Sequence, residues 1–224
     1  MGAYSEALYK HVLPPLLLHP ELLTLPRIRI LDICFGLGYN TLVSLKEYKN
    51  RAFKGVLEIY SPEIDKELLA QLWDFEYPAE LAETMFYLHQ LLESQSVCAE
   101  GVRLELFIGD AREYLRAIPA DFDVVYQDAF SPARNPLLWS VEYFTELRAL
   151  LKNEGIVTTY TQSSAMRYGA HLAGFNVYEY HNGLDRAGTI LSPAPLPLKK
   201  ISLEQKLLCN PALKPLTDEE YHQK

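Results

Sequence analysis

The chain has 224 residues and a formal net charge of −8 at pH 7, with 49% apolar and 22% charged residues. That length suits one domain around one sizeable core, and no apolar run is long enough to span a bilayer. The acidic balance argues against a nucleic-acid partner for the chain as a whole. However, residues 61–110 hold eleven Asp and Glu against only Lys66 and Arg103, so the rest is near neutral and can carry basic surface elsewhere.

The first 26 residues read as a leader, with one helix over Ser5–Val12 followed by a proline-broken segment. Val12–Leu18 is apolar, but two prolines interrupt it and no small-residue cleavage site follows, so no signal peptide is read. From Arg27 to Ser192, apolar runs with strand character alternate with helical patterns, which predicts a mainly parallel sheet covered on both faces. The expected order is strand 27–33, a glycine turn, helix 40–48 and strand 55–60. Ser61 then caps a helix that has Pro62 at its first position and runs to about Phe75. Tyr77-Pro78 breaks it. A second helix covers 79–94, with Leu81, Met85, Leu88 and Leu92 at helical spacing. Strand 102–108, helix 111–117, strand 122–127, a loop and a helix ending near Leu151 follow. Residues 153–155 form a turn before strand 156–161. Ser163 caps a helix that ends near Gly174. The strands 175–180 and 187–191 flank Asn182-Gly183, a turn dipeptide that suggests a terminal antiparallel pair. After Ser192, five prolines predict an extended, mostly irregular tail over 193–224.

Ile30–Thr41 (ILDICFGLGYNT) is a buried strand with an acid, Asp32, followed by Gly36-x-Gly38 opening a helix. Such glycines let backbone approach a ligand, and the helix behind them offers free N–H donors. Glu58 sits within strand two, where an acid can accept both hydroxyls of a ribose. Asp110 follows strand three, where a carboxylate can accept from an adenine amine. A dinucleotide site needs a third glycine, and Thr41 stands in its place. The set suits a nucleoside with a sulfonium tail, S-adenosylmethionine, better than a nicotinamide dinucleotide.

After strand four, Tyr126–Trp139 (YQDAFSPARNPLLW) mixes Asp128, Phe130, Arg134, Asn135 and Trp139 with two prolines that stiffen the loop. A carboxylate at Asp128 can orient an attacking amine and help remove its proton, which methyl transfer at neutral pH requires.

Asp128-Ala-Phe-Ser-Pro-Ala-Arg-Asn-Pro, with Trp139 shortly after, resembles the DxFxPxKNPxxW signature of the tRNA 5-methylaminomethyl-2-thiouridine methyltransferases. Ala3–Val12 is similar to that family's leader, Asp32–Asn40 to its glycine turn, and Thr161–Phe175 to its T-x-x-x-x-V-R helix. Gly183–Leu191 resembles the strand after it, and Asn210–Leu216 a short closing motif. The resemblance implies a doubly wound, Rossmann-like class I methyltransferase sheet and transfer of a methyl group from S-adenosylmethionine to the aminomethyl group of the tRNA wobble uridine. It implies that Asp32, Gly36, Gly38, Asn40, Glu58, Asp110, Ala111 and Asp128 line the cofactor site. Asp128, Phe130 and Asn135 would face the amine and base. The chain departs from the family pattern in having Cys34 for a glycine, Asp32 for a Glu and Arg134 for a Lys, and Arg186 stands nearly alone in the closing basic stretch.

Basic residues available for RNA are Lys10, Arg27, Arg29, Arg134, Arg167, Arg186, Lys199 and Lys200. The six histidines show no metal-ligand spacing, so no metal is expected. Cys34, Cys98 and Cys209 form no CxxC pair and no even framework, which fits a reduced cytoplasmic setting. A transferase of methyl or aminopropyl groups to a small amine, and a non-catalytic RNA-binding protein of the same fold, are the competing readings.

Overall fold

The computed structural model describes residues 2–181 and 187–221. Eight strands form one sheet in the order β3-β4-β2-β1-β5-β6-β8-β7. They are β1 Arg27–Ile33, β2 Val56–Glu63, β3 Ser96–Ala99, β4 Val102–Ile108, β5 Phe122–Gln127, β6 Leu151–Thr159, β7 Asn176–Tyr180 and β8 Gly188–Ser192. The five central strands pair in parallel, and β8 runs antiparallel to both β6 and β7. The order reverses between β1 and β5, the switch point at which open α/β sheets form their ligand crevice. This is the doubly wound sheet with a terminal antiparallel pair that the alternating pattern predicts. Asn182-Gly183, the expected turn of that pair, lies outside the described residues, as does Arg186.

Both faces of β1, β2 and β5 are buried, as central parallel strands require. Ile28 and Ile30 of β1 join Leu42, Leu57, Ile59 and Leu104 in one core cluster; Leu31 and Ile33 join Val125, Trp139, Phe144, Val157 and Phe175 in the other. The leader packs into the first cluster through Ala7, Val12, Leu16 and Leu22. It is helical from Ala3 to Leu18: α1 Ala3–Glu6, a π-helical turn over Ala7–Val12, and α2 Leu13–Leu18. The helical run passes through Pro14 and Pro15, which stand where the π-helical turn gives way to α2.

Several boundaries differ from the sequence expectation. Ser61 and Pro62 lie inside β2, which continues to Glu63; Asp65 caps the following helix, α4 Lys66–Gln71, and accepts from the Leu68 N–H. β2 therefore ends three residues later than its polar Ser-Pro suggests. The stretch 79–94 is a 3₁₀ turn, Ala79–Thr84, followed by α5 Met85–Ser94. Gln95 takes a left-handed conformation there (φ 59°), and the chain reverses into β3, an edge strand with no prior signal. Residues 153–155 do not form a separate turn but an irregular stretch of β6, where pairing with β5 shifts from Phe122↔Leu151 to Val124↔Ile156. The tail contains α9 Leu203–Cys209, capped by Ser202, in the proline-free interval between Pro197 and Pro211. The remaining helices are α3 Tyr39–Asn50, α6 Ala111–Ala117, α7 Val141–Leu150 and α8 Ser164–Leu172. No helix among the described residues is long and apolar enough to cross a membrane.

Candidate active site

Between β1 and α3, three residues adopt left-handed φ: Cys34 at 65°, Gly36 at 55° and Gly38 at 73°. Gly38 is sterically required, since a Cβ there would lie 2.6 Å from the Phe35 ring. No side chain caps α3, so its first N–H groups have no side-chain acceptor. Cys34 holds a conformation that costs a residue with a Cβ about 1 kcal/mol.

Asp32 lies beneath this turn and is fully buried. Its Oδ1 accepts from Asn40 Nδ2 (3.2 Å) and its Oδ2 from Thr41 Oγ1 (2.8 Å). Burial pushes its carboxyl up to about 7; the Thr41 and Asn40 bonds and His11 oppose the rise, while the Asp128 charge adds to it. Asn40 Nδ2 also donates to Asp128 Oδ2 (3.1 Å), so one amide ties the carboxylates of β1 and of the loop after β5. Asp128 is the counterpart of Asp32: burial would raise its carboxyl, but His11, Asn40 and Lys10 together outweigh burial and hold it below the usual carboxylate range.

Two neighbouring cavities open along this edge. One, of about 350 Å³, is lined by Gly36, Leu37, Asn40, Glu63, Asp128 and Phe130, with Ala3, Glu6 and Ala7 of the leader closing one side. The second, about 320 Å³, is lined by Asp110, Ala111, Arg112, Leu137 and Leu138. Cys34, Glu63, Ile64 and Asn135 line both, so they form one elongated crevice. Asp110 caps α6 by accepting from the N–H groups of Arg112 (2.8 Å) and Glu113 (3.1 Å).

The structure thus brings Gly36, Asn40, Asp110, Ala111, Asp128, Phe130 and Asn135 to one crevice. Asp32 and Gly38 support it from beneath. Glu58 is not there. It lies five residues before the end of β2 and is buried between Arg29 of β1 (3.0 Å) and Arg103 of β4 (3.1 Å), with Tyr60 Oη at 3.2 Å. The residue at the strand's end is Glu63, five positions on and so on the opposite face. Glu63 Oε2 accepts from Gly36 N (2.8 Å), and its Oε1 from the N–H groups of Ile64 and Asp65 (2.9 Å each). Its signal in the sequence was its place one residue after a proline, which disguised the strand's length. Trp139, fully buried, donates from Nε1 to the Phe130 carbonyl (2.8 Å) and fixes the loop from below. Phe130 is 70% exposed, with the Arg134 guanidinium 5.9 Å from its ring centre.

A third cavity, of about 280 Å³, meets the crevice at Glu6, Asp128 and Phe130 and adds Lys10, His11, Ala129 and Tyr160. Glu6, Lys10 and His11 all come from the leader. Of the basic residues expected to face RNA, Arg29 and Arg167 are buried and bonded within the fold, and Arg27 pairs with Asp121. No group of three or more potential metal ligands is clustered among the described residues.

The crevice fits S-adenosylmethionine: it is elongated, has carboxylates at Glu63 and Asp110, and has an uncapped helix start and left-handed backbone at its centre. Comparisons with known proteins agree. The family described as S-adenosyl-L-methionine-dependent methyltransferase matches residues 75–191. The chain is 28% identical to an uncharacterized protein of Methanocaldococcus jannaschii over 80% of its own length and 48% of that protein. It is 30% identical to the tRNA 5-methylaminomethyl-2-thiouridine biosynthesis bifunctional protein MnmC of Campylobacter hominis, over 67% of this chain and 23% of the relative. It therefore spans about half of the first relative and about a quarter of the bifunctional one. The crystal structure of MNMC2 from Aquifex aeolicus superposes with a TM-score of 0.82 at 31% identity, covering 98% of this chain and 70% of that one. The protein belongs to the S-adenosyl-L-methionine-dependent methyltransferases, in the family of the MnmC methyltransferase domain.

Proposed function

We propose that the protein methylates the aminomethyl group at position 5 of the wobble uridine of tRNA, giving 5-methylaminomethyl- or 5-methylaminomethyl-2-thiouridine. The observation that carries this reading is the position of Asp128. It is held ionised where the cofactor crevice meets the third cavity, with Phe130 exposed beside it. Glu63 and the Gly36 backbone would hold the ribose side of S-adenosylmethionine, Asp110 and Ala111 the adenine, and Asn40 with the start of α3 the amino-acid end. The bound cofactor supplies a methyl group on a cationic sulfur.

The chain's own residues must present a neutral amine to that methyl. A primary ammonium entering the third cavity meets two carboxylates, Glu6 and Asp128. Asp128 Oδ2 accepts from Asn40 and Oδ1 lies beside His11 Nε2, so the carboxylate is held in place and its remaining lone pairs aim the amine and accept its proton. Phe130 offers a face on which a splayed-out base stacks, and Asn135 a hydrogen-bonding group beside it. Lys199, Lys200 and Lys206 line a separate open cleft beside α9, and they suit the phosphates of an RNA arm. The bifunctional relatives' name supports the substrate.

The test is methyl transfer from radiolabelled S-adenosylmethionine to tRNA carrying 5-aminomethyluridine at position 34, with unmodified tRNA and free polyamines as controls. Label in the first alone supports the reading. Label in polyamines without tRNA supports a small-amine transferase, and label in neither refutes the assignment.

A further inference from the structure

His11 is a leader residue with 1% of its surface exposed, and none of the roles above uses its second nitrogen. Its Nε2 lies 3.4 Å from Asp128 Oδ1, and its Nδ1 lies 2.9 Å from Thr158 Oγ1 on β6. The Tyr126 ring meets it edge-on at 5.7 Å. A histidine buried in a two-ended hydrogen-bonded slot, one end on the residue that must take a proton, is built for more than packing. Resting on the amine-methylation reading, we propose that His11 and Asp128 work as one proton-holding dyad, in which His11 is the positioning residue that stores the proton Asp128 removes from the substrate ammonium.

An N–H bond of the ammonium breaks, and its proton passes to Asp128 Oδ1 and on to His11 Nε2. The freed nitrogen lone pair bonds to the methyl carbon as the carbon–sulfur bond breaks, its electron pair staying on sulfur. The products are a secondary ammonium, a neutral thioether and a dyad holding one extra proton, which returns to water through the cavity that His11 and Lys10 line. The storing state needs a proton on Nδ1, donated to Thr158 Oγ1, and the 2.9 Å contact allows that tautomer. Carboxylate alone is a weak sink for an ammonium proton, because its affinity for protons lies several units below that of an amine. An imidazole behind it narrows that gap.

The charged and titratable groups facing the dyad are Glu6 and Lys10 of the leader, Asp32 of β1, Cys34 of the turn, Tyr126 of β5 and Tyr160 after β6. Lys10 pairs with Glu6 at 2.6 Å, so neither adds a net charge of its own to the slot. Asp32 is the neighbour that titrates near neutrality, and its ionisation raises the dyad's hold on a proton.

Two measurements on the full chain separate this idea from the substrate reading. The first needs no substrate. Nitrogen NMR of the wild type reads which His11 ring nitrogen carries the resting proton. It is expected on Nδ1, facing Thr158 Oγ1 and leaving Nε2 free to receive, and a proton resting on Nε2 overturns the dyad. The second is single-turnover methylation of the aminomethyl-uridine tRNA between pH 5.5 and 9. The wild-type rate is expected to rise with pH and level off, since the dyad must be empty to accept. His11→Gln, which keeps a polar side chain beside Asp128 but cannot take up a proton, is expected to lose that rise and fall 10- to 100-fold at pH 7, with S-adenosylmethionine affinity within threefold. A wild-type rate and pH profile in His11→Gln overturns proton storage. If that variant does not bind cofactor, Thr158→Val is the substitute. It removes the Nδ1 acceptor, is expected to shift that rise, and overturns the idea if the profile stays put. An inactive wild type whose resting His11 proton lies on Nδ1 would refute the substrate and leave the dyad standing.

Discussion

Replacing Asp32 with Asn isolates the most perturbed carboxyl in the fold. The geometry tolerates the change: the new Oδ1 can accept from Asn40 Nδ2, and the new amide can donate to Thr41 Oγ1 in place of the present bond. Burial raises Asp32 from its ordinary 3.8 to about 7, so the folded state binds a proton that the unfolded chain releases. A raised carboxyl contributes stability that is complete below pH 3.8 and is lost as pH rises through 7. The full swing is on the order of 4 kcal/mol, and the part falling between pH 5 and pH 8 is about 2.5 kcal/mol. Asp128 is held below its ordinary range and stays ionised throughout that window, and His11 is present in both proteins, so the difference between them reports Asp32. Urea unfolding at pH 5, 6, 7 and 8 should show the wild type losing about 2.5 kcal/mol relative to Asp32→Asn across the series. Parallel pH dependences for the two proteins would mean that Asp32 is ionised at pH 5 in the folded state and that its burial is compensated in a way the hydrogen bonds do not reveal.

Asp128→Asn should bind S-adenosylmethionine within about threefold of wild type by calorimetry and lose at least about 100-fold in methyl transfer, since an amide cannot accept the amine's proton. Glu63→Gln and Glu58→Gln should fail in opposite ways. The first weakens cofactor binding by about 10- to 100-fold at a smaller stability cost, about 1–3 kcal/mol, because the amide keeps only one acceptor for the backbone N–H groups that Glu63 holds. The second leaves cofactor affinity unchanged and costs about 3–5 kcal/mol of stability in urea, because Arg29 and Arg103 lose their common carboxylate. Burial pushes the Cys34 thiol up to about 12, so alkylation at pH 8 followed by mass spectrometry should modify the exposed Cys98 and Cys209 and leave Cys34 untouched. Early modification of Cys34 would show that the turn opens readily.

The central sheet was legible because its strands are continuous apolar runs. β1, β4 and β5 match their expected bounds: Pro26 precedes β1, Gly101 and Gly109 flank β4, and Asp121 and Asp128 flank β5. β2 was misjudged because Ser61-Pro62 is equally good chemistry for a helix start and for a strand residue at its last ladder positions. That one boundary drew the expectation of a crevice carboxylate to Glu58, whereas the acid that lines the crevice is Glu63. The Asp128 loop could be read in full because its residues are contiguous. The leader's share could not: Glu6, Lys10 and His11 meet Asp128 only through helix packing more than 100 positions away in the chain, and no local pattern encodes that. α9 was hidden by the prolines on either side of it.

Both ends of the described chain take part in the crevice. Ala3, Glu6 and Ala7 line the cavity beside Gly36. Near the other end, Asp218 lines the cavity beside Asp110 and accepts from Arg112 (2.7 Å) and Ser140 (2.6 Å), while Leu216 accepts from Val141 N (2.9 Å). During synthesis, then, the sheet can collapse well before the crevice exists, because one wall waits for residues near position 218 to leave the ribosome. Closing that loop is among the longest-range steps in the molecule. With the cofactor in the proposed crevice, ligand present at that moment would stabilise only chains that have docked both ends, a proofreading signal for a finished fold.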